Sequence, residues 1–481
     1  MPIPVLSVSE MRRWEANSWA TGQTEASVIE LVGEAVAAYL LRTTRPDSRI
    51  VIVAGRGNNG ADARAAARHL DPFREIIALD VDAPRRAMTP LKKALAALQP
   101  DRDWIVDGLF GTGLNRTLDQ DWRKLIEVIN KSTARVAAVD VPSGLNADTG
   151  EPWGSAIRAA VTLTVGAPKT GLLITAATAW VGRLEVLAQV GLTGNLPRAK
   201  SKLEWVLPAD FANFPPPRSV AAHKGIYGHV VIAAGSLGYH GAAVLAANGA
   251  LRARPGLVTV VTDPAVYLPV ASQLQAAMVH PWDADWSLPK SATAIVVGPG
   301  LAAADLAPGF DHQLIHWWRN SPLPMLVDAS ALAGLPRGGI TSKALRVITP
   351  HPGEAARLLE LAPATIQNDR PAAVHALSRR FGGCLVVLKG HQTLTGRPSG
   401  QLLVNCSGNP GLAQGGSGDL LAGYLGGLLA QPQLQLNPLL TLAFGVWQHG
   451  AAADRLDNRD RAWTIQDLSI ALGERCDTPE R

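Results

Sequence analysis

Along the chain, apolar runs of three to five residues rich in Val and Ile alternate with longer Ala/Leu-rich stretches of helical character. The runs are Ile50–Ala54, Trp104–Val106, Val136–Val139, Val230–Ala234, Val258–Thr262, Ala294–Val297, Met325–Val327 and Leu385–Leu388. A strand with one wet face alternates apolar and polar residues. A continuous run suits a strand buried on both faces, as in a parallel sheet covered by helices. The pattern predicts an α/β chain. Nearly every run ends in Gly, Asp, Asn or Ser, and in open α/β sheets ligands bind at the carboxyl ends of the strands.

One segment breaks the pattern. Asp210–His223, DFANFPPPRSVAAH, has three consecutive prolines and neither helical nor strand period. Proline fixes φ and lacks a donor, so the segment reads as a linker or an entering arm. It divides the chain into two expected domains, 1–205 and 206–481, which share no repeat.

Composition narrows the classes. With 481 residues, 47% of them hydrophobic and 18% charged, the chain is long enough for two cores. The formal charge of +5 is diffuse, with no dense Lys/Arg stripe, so it suits a phosphorylated substrate and argues against nucleic acid. Cys384, Cys406 and Cys476 are odd in number and show no CxxC spacing, so neither a disulfide framework nor a zinc site is expected. The N-terminal stretch lacks the apolar region of a signal peptide, and the apolar stretch Leu420–Ala430 falls short of the ~20 residues of a membrane span. A cytoplasmic protein without a membrane partner is expected.

In the first half, Ile50–Ala54 leads into Gly55-Arg56-Gly57-Asn58-Asn59-Gly60-Ala61-Asp62 and a predicted helix, Ala63–Leu70. A strand, a glycine-rich turn and a helix start offer backbone N–H groups and a helix dipole to an anion. A tight turn with no ligand has the same outline. The Asn pair beside a carboxylate adds oxygens that suit a cation and donors that suit a ligand. Ile105-Val106 leads into Asp107-Gly108-Leu109-Phe110-Gly111-Thr112-Gly113, and Val136–Val139 into Asp140-Val141-Pro142-Ser143-Gly144. One such Asp can merely cap the next helix. Three strand ends with polar, glycine-rich loops call for more than capping.

These loops, with Glu30-Leu31-Val32-Gly33 and Pro168-Lys169-Thr170-Gly171, resemble the N-terminal domain of the YjeF proteins, the NAD(P)H-hydrate epimerases, over roughly Met11–Leu192. The resemblance implies a Rossmann-like α/β sandwich. It implies that substrate touches Asn58, Asn59, Gly60, Ala61 and Asp62, then Gly111, Thr112, Gly113, Leu114, Asn115, Arg116 and Thr117, and Asp140. It also implies a potassium ion held by Asn59, Asp107 and Ser143. Where the family reads GNNGGDG, Ala61 and Ala63 stand here. A Cβ at either position costs ~1 kcal/mol or more if the backbone there needs positive φ. The hydrate carries a hydroxyl on C6 of its reduced ring, and its epimers exchange through a ring-opened or iminium-like intermediate. Asp140, a carboxylate at a strand end, is the expected acid/base group.

In the second half, Gly408–Gly423 contains Gly415-Gly416-Ser417-Gly418-Asp419 ahead of an apolar helix. Backbone N–H groups gathered at a helix start bind phosphate oxygens, and Asp419 in the first turn is placed to take a proton from an attacking hydroxyl. The stretch resembles the GxGD signature of ribokinase-like enzymes. His223-Lys224-Gly225, Val297-Gly298-Pro299-Gly300, Thr349-Pro350-His351-Pro352-Gly353-Glu354 and Lys389-Gly390-His391-Gln392-Thr393 narrow the resemblance to the YjeF C-terminal domain, the NAD(P)H-hydrate dehydratases. This implies a ribokinase-like α/β domain. Substrate contacts would come from Ala242, Gly300, His351 and Asp419, and nucleotide contacts from Lys389, Gly390, His391, Gln392, Thr393 and Gly418. Magnesium would accompany the ADP, the phosphoryl donor expected of bacterial members. His351 can alternatively cap a turn, and Lys389 can pair with a structural carboxylate.

The expected function is therefore repair of damaged nicotinamide nucleotides. The first domain would exchange the R and S forms of NADHX and NADPHX, and the second would dehydrate the S form at the expense of ADP. A homo-oligomer is expected. The alternative is a ribokinase-like small-molecule kinase with a non-catalytic N-terminal binding domain.

Overall fold

The computed structural model describes every residue except 198, 284, 303–305, 307, 399, 458–461 and 475–481, so Cys476 lies outside the described residues. The chain forms two compact units, Ile3–Lys202 and Leu203–Arg481 with Met1–Pro2. All eight apolar runs are strands, to within one or two residues at their ends.

The first unit holds a parallel sheet in the order Glu75–Asp80, Arg49–Ala54, Trp104–Gly108, Arg135–Val139, Val161–Val165, Arg183–Leu187. Ile50 and Ile52 pack on one face with Val32, Val36 and Leu40 of helix Glu25–Thr43. Val51 and Val53 pack on the other with Leu91 of helix Pro84–Ala96 and Leu125 of helix Gln120–Asn130. Adjacent residues thus enter separate cores, which is why the run does not alternate. From Arg49–Ala54 the chain goes first to the Glu75 edge and then returns to Trp104 on the other side. That reversal opens a crevice at the carboxyl ends of these two strands.

The second unit repeats the logic with a larger sheet. From Met278–Pro281 through Leu257–Thr262, His229–Ala233, Ala294–Val297, Met325–Val327 and Arg346–Ile348 to Leu385–Leu388 the strands run parallel. A hairpin, Leu394–Gly396 and Leu402–Val404, then continues antiparallel, and Leu203–Trp205 pairs with its outer strand. The direction of winding reverses between His229–Ala233 and Ala294–Val297.

The proline-rich segment is an arm within the second unit, not a link between the units. Phe211, only 2% exposed, packs against Phe444 and Trp447 at centroid distances of 5.6 and 5.0 Å. These aromatics anchor a stretch whose prolines deny it regular structure.

Helices His240–Ala253 and Ser417–Leu429 lie against each other with almost no side chain between them. A Cβ on Gly423 would lie 1.8 Å from the Ala246 carbonyl oxygen, and one on Gly249 2.1 Å from that of Leu420. Gly416 lies beside Leu245 and Gly427 beside Ala250, so the helices run in the same sense and their N-termini share one end. No described helix is long and apolar enough to cross a membrane.

Gly423→Ala is expected to cost about 3 kcal/mol, the upper part of the usual overpacking range. Thermal unfolding checks it; an unchanged midpoint would contradict the close approach.

Candidate active sites

In the first unit the helix begins at Asn58, not Ala63, with Gly57 as its N-cap. Asn58 to Asp62 are therefore the first helical residues rather than a loop. Neither Ala61 nor Ala63 has positive φ, so both methyls are unstrained. The glycines that matter are Gly55 and Gly60. A Cβ on Gly60 would meet the Gly55 oxygen at 1.9 Å, and one on Gly55 the Leu109 oxygen at 2.2 Å. Close backbone approach required them, where glycine content had suggested a loop.

At the crevice lies a cavity of about 640 Å³ lined by Asn58, Asn59, Asp62, Asp140 and the stretch from Gly111 through Thr112, Gly113, Leu114 and Asn115 to Arg116. Gly60, Ala61 and Thr117 are not among its lining residues. Asp107 and Ser143 are fully buried. The Ser143 hydroxyl donates to Asp107 Oδ1 at 2.6 Å, and the Ser143 and Leu109 N–H groups donate to the same carboxylate at 2.8 and 3.2 Å. Burial pushes the Asp107 carboxyl up to about 6 against these bonds. Asn59 donates its amide to the Phe110 carbonyl at 3.0 Å, an oxygen that also lies 3.2 Å from the Ser143 hydroxyl. The Asn59 Oδ1 is buried with no hydrogen-bond partner. A buried orphan oxygen costs about 1–3 kcal/mol. Beside a carboxylate and a hydroxyl, it completes a donor set suited to a hard cation.

Asp140 closes its strand at φ +63°. Its Oδ1 takes Lys169 Nζ at 2.5 Å and the Val165 N–H at 3.0 Å. The ammonium also reaches the Val165 carbonyl at 2.8 Å and Thr164 Oγ1 at 3.1 Å. Lys169 is 1% exposed. Its place in the Pro168–Gly171 motif carries no sign of this role, because only tertiary packing buries it.

In the second unit the strand ends at the switch point converge. A Cβ on Gly300, at φ +66°, would lie 2.5 Å from the Tyr239 oxygen and 2.8 Å from Ala242 Cβ, so these two expected substrate contacts are neighbours. Asp419 occupies the first turn of Ser417–Leu429, behind Gly416 in left-handed conformation. Burial, reinforced by Asp328 and opposed by Lys389, raises its carboxyl to about 6. Lys389 pairs with Asp328 at 2.6 Å, and Thr349 Oγ1 donates to the same carboxylate oxygen at 2.7 Å. A Cβ on Gly418 would lie 3.4 Å from Lys389 Nζ, so the lysine stands at the candidate anion hole while bonded to a carboxylate.

The stretch from Lys389 through Gly390, His391 and Gln392 to Thr393 is the hairpin turn between Leu385–Leu388 and Leu394–Gly396, closed by Thr393 Oγ1 donating to the Gly390 carbonyl at 2.9 Å. Arg370, which sequence reasoning passed over, supports it from beneath through the Leu388 and Lys389 carbonyls at 3.0 and 3.4 Å. His351 is a helix cap: its Nδ1 accepts from the Gly353 and Glu354 N–H groups at 3.0 and 3.3 Å, while Glu354 accepts from the His351 N–H at 2.7 Å. Its ring remains half exposed at the strand end. His449 is buried and bonded to the Ser417 backbone, and burial lowers it to about 4.

Comparison with known proteins gives the family of both units. A family described as NAD(P)H-hydrate dehydratase matches residues 230–473, and one described as YjeF-related protein N-terminus matches 25–89 and 75–171. The chain is 34% identical to a bifunctional NAD(P)H-hydrate repair enzyme of Coxiella burnetii, covering 93% of each chain. It is 35% identical to one of Escherichia coli, covering 97% of this chain and 94% of that one. A crystal structure of the ADP/ATP-dependent NAD(P)H-hydrate dehydratase of Bacillus subtilis, co-crystallised with ATP and Mg²⁺, superposes with a TM-score of 0.50 at 30% identity. It covers 55% of this chain and 95% of that one.

Removing Lys169 alone strands a largely buried carboxylate. Lys169→Met is expected to cost about 3–5 kcal/mol. Adding Asp140→Asn should recover much of that loss. Denaturant unfolding of the four proteins of the cycle checks it; additive effects would contradict the pairing.

Proposed function

The chain belongs to the bifunctional NAD(P)H-hydrate repair enzymes, and from that membership we propose how its two units divide the work. The protein exchanges the R and S hydrates of NADH and NADPH and dehydrates the S form with a nucleotide as phosphoryl donor. Epimerisation is assigned to the first unit and dehydration to the second. The observation that carries the reading is Asp419, half-buried in the first turn of a helix behind Gly415 to Gly418, with Lys389 beside that turn.

In the second unit Asp419 takes the proton of the C6 hydroxyl as that oxygen attacks the terminal phosphorus of ADP. The bond to the bridging oxygen breaks and AMP departs. Hydroxide is a poor leaving group and phosphate a good one. The C6–O bond then breaks with loss of a proton from C5, restoring the C5=C6 bond and releasing phosphate. The helix N-termini at Ser417 and His240 face the same end and favour the phosphates. Lys389 supplies a positive charge, and magnesium bound with the nucleotide would neutralise phosphate charge. Gly300 and Ala242 offer a small-residue surface for the substrate. The Lys389-to-Thr393 turn is the proposed nucleotide contact, held by Arg370. His351 serves as cap and keeps a ring edge for the substrate.

In the first unit Asp140 exchanges protons with the substrate through the cavity. Asn59, Asp107 and Ser143 would hold potassium, whose charge would be available to a substrate oxygen; the orphan Asn59 Oδ1 supports this donor set. The buried, unpaired thiol of Cys384 suits a reducing compartment, which favours the cytoplasm. The rival reading, a kinase with an inert first domain, is not favoured, because that domain retains a cavity with Asp62, Asp140 and Lys169 on its wall.

Two single variants test the division of labour. Asp419→Asn should lower the dehydration rate by at least 10²-fold, within the usual span for losing a general base, and leave epimer exchange intact. Asp140→Asn should do the reverse. Loss of both activities in either variant would contradict separate sites. Since Asp419 must be deprotonated to act, wild-type dehydration should fall about tenfold per pH unit below about 6; a flat profile from pH 7 to 5 would remove Asp419 as the base.

A further inference from the structure

Two acids of the first cavity, Asp62 and Glu15, have neither a hydrogen-bond donor nor an ion pair among the described residues. Of these, Asp62 is the one whose carboxyl is pushed up to about 8. It lies on helix Asn58–Leu70 beyond the first turn, so it is not the helix cap, a place taken by Gly57. It lines the cavity, yet is only 8% exposed. Among the described residues its carboxyl group makes no hydrogen bond and no ion pair. Its electrostatic neighbours are mostly like charges: Asp140, Glu15 and Glu25, with Lys169 as the opposing one. Lys169 is committed to Asp140 Oδ1, and Glu25 accepts from the Asn58 amide. Burial without a donor, among carboxylates, favours the neutral acid, and the group is raised to about 8. A buried carboxylic acid has a proton to give. Here the protein offers it no acceptor, so the remaining acceptor is whatever fills the cavity.

We infer that Asp62 is a second catalytic residue of the first site, an acid that protonates the ring nitrogen of the hydrate while the Asp140 carboxylate removes the proton of the C6 hydroxyl. This deepens the epimerase reading and rests on it. As Asp140 takes the hydroxyl proton, the C6 oxygen becomes a carbonyl and the C6–N1 bond breaks. Its electron pair goes to N1, which receives the proton of Asp62. The open form is a neutral aldehyde. Rotation about C5–C6 presents its other face, and closure returns each proton to its donor. No oxidant or co-reactant enters. The two carboxyl groups are suited to opposite roles because one has a lysine and the other has none.

The test uses the full chain without nucleotide, with pure S hydrate and potassium, following the appearance of the R form by chromatography. Asp62→Asn keeps the shape but has no acid to give. Its kcat should fall about 10²-fold or more, with KM within about threefold, and Asp62→Glu should recover part of the rate. In the wild type, kcat should fall as pH rises through about 8, and Asp62→Asn should lose that limb. A kcat within threefold of wild type, or a change confined to KM, overturns the inference while leaving the epimerase reading intact. Absence of exchange in the wild type overturns both.

Folding gives an independent readout. A carboxyl raised in the folded state stabilises the protein below its unfolded value, near 4, and that contribution is lost as pH rises through about 8. The thermal midpoint of Asp62→Asn should therefore gain on wild type across that interval. A lower midpoint at every pH would make Asp62 structural and overturn the inference.

Discussion

Burial of a parallel sheet on both faces confines charge to the strand ends, and the rest of the structure follows from that confinement. In the first unit Ile50 and Ile52 enter one core while Val51 and Val53 enter the other, so the strand has no polar face on which to carry a functional group. Asp107, Asp140, Asp328 and Lys389 all stand where a strand closes or has just ended. The winding reversal at each sheet opens those ends to a ligand. Glycine then lets backbone approach backbone: Gly55 and Gly60 in the first unit, Gly249 and Gly423 in the second. The second pair brings two helix N-termini to the same end of the sheet.

Within that frame, chemistry is set by which carboxyl group receives a cation. Asp140 has Lys169 at 2.5 Å, and Asp328 has Lys389 at 2.6 Å. Asp62 and Asp419 have no such close partner, and burial raises both. Asp419, raised to about 6, is deprotonated at neutral pH, as the proposed base must be, whereas Asp62, raised to about 8, retains its proton. The same physical cause thus produces opposite protonation states. Each carboxyl has one lysine opposing the shift, but Asp62 is the more deeply buried. It sits among three other acids, Asp140, Glu15 and Glu25, where Asp419 has two, Asp328 and Glu354. Phosphoryl transfer requires the first behaviour; opening a carbon–nitrogen bond calls for the second.

Much of this was legible in the residues. Unalternating runs marked the strands, and their Gly/Asp endings marked the strand ends at which the candidate sites are built. Asp419 was placed in a first helical turn from its four small predecessors. The misreadings share a cause, since each depended on a contact distant in sequence. The helix start at Asn58 looked like a loop because glycine and asparagine are weak helix formers, and the close approach of Gly60 to Gly55 is invisible in composition. For the triple proline the sequence left a linker and an entering arm both open, because nothing in its own spacing shows Phe211 meeting Phe444 and Trp447. Lys169 and Arg370 carry no local signal at all: one is found by its bond to Asp140, the other by the carbonyls it holds beneath a turn. For His351 the sequence left a substrate contact and a cap both open, and the Gly353 and Glu354 N–H groups show the cap.

The central claim is that one chain both equilibrates the two hydrates and consumes one of them. The most direct measurement is the recovery of NADH absorbance from a mixture of R and S hydrates, with the wild-type chain, potassium, magnesium and ADP. Recovery should continue past the S fraction to completion, with the later phase limited by epimer exchange. A progress curve that stops once the S form is exhausted would contradict a working first site, and no recovery with either ADP or ATP would contradict the second.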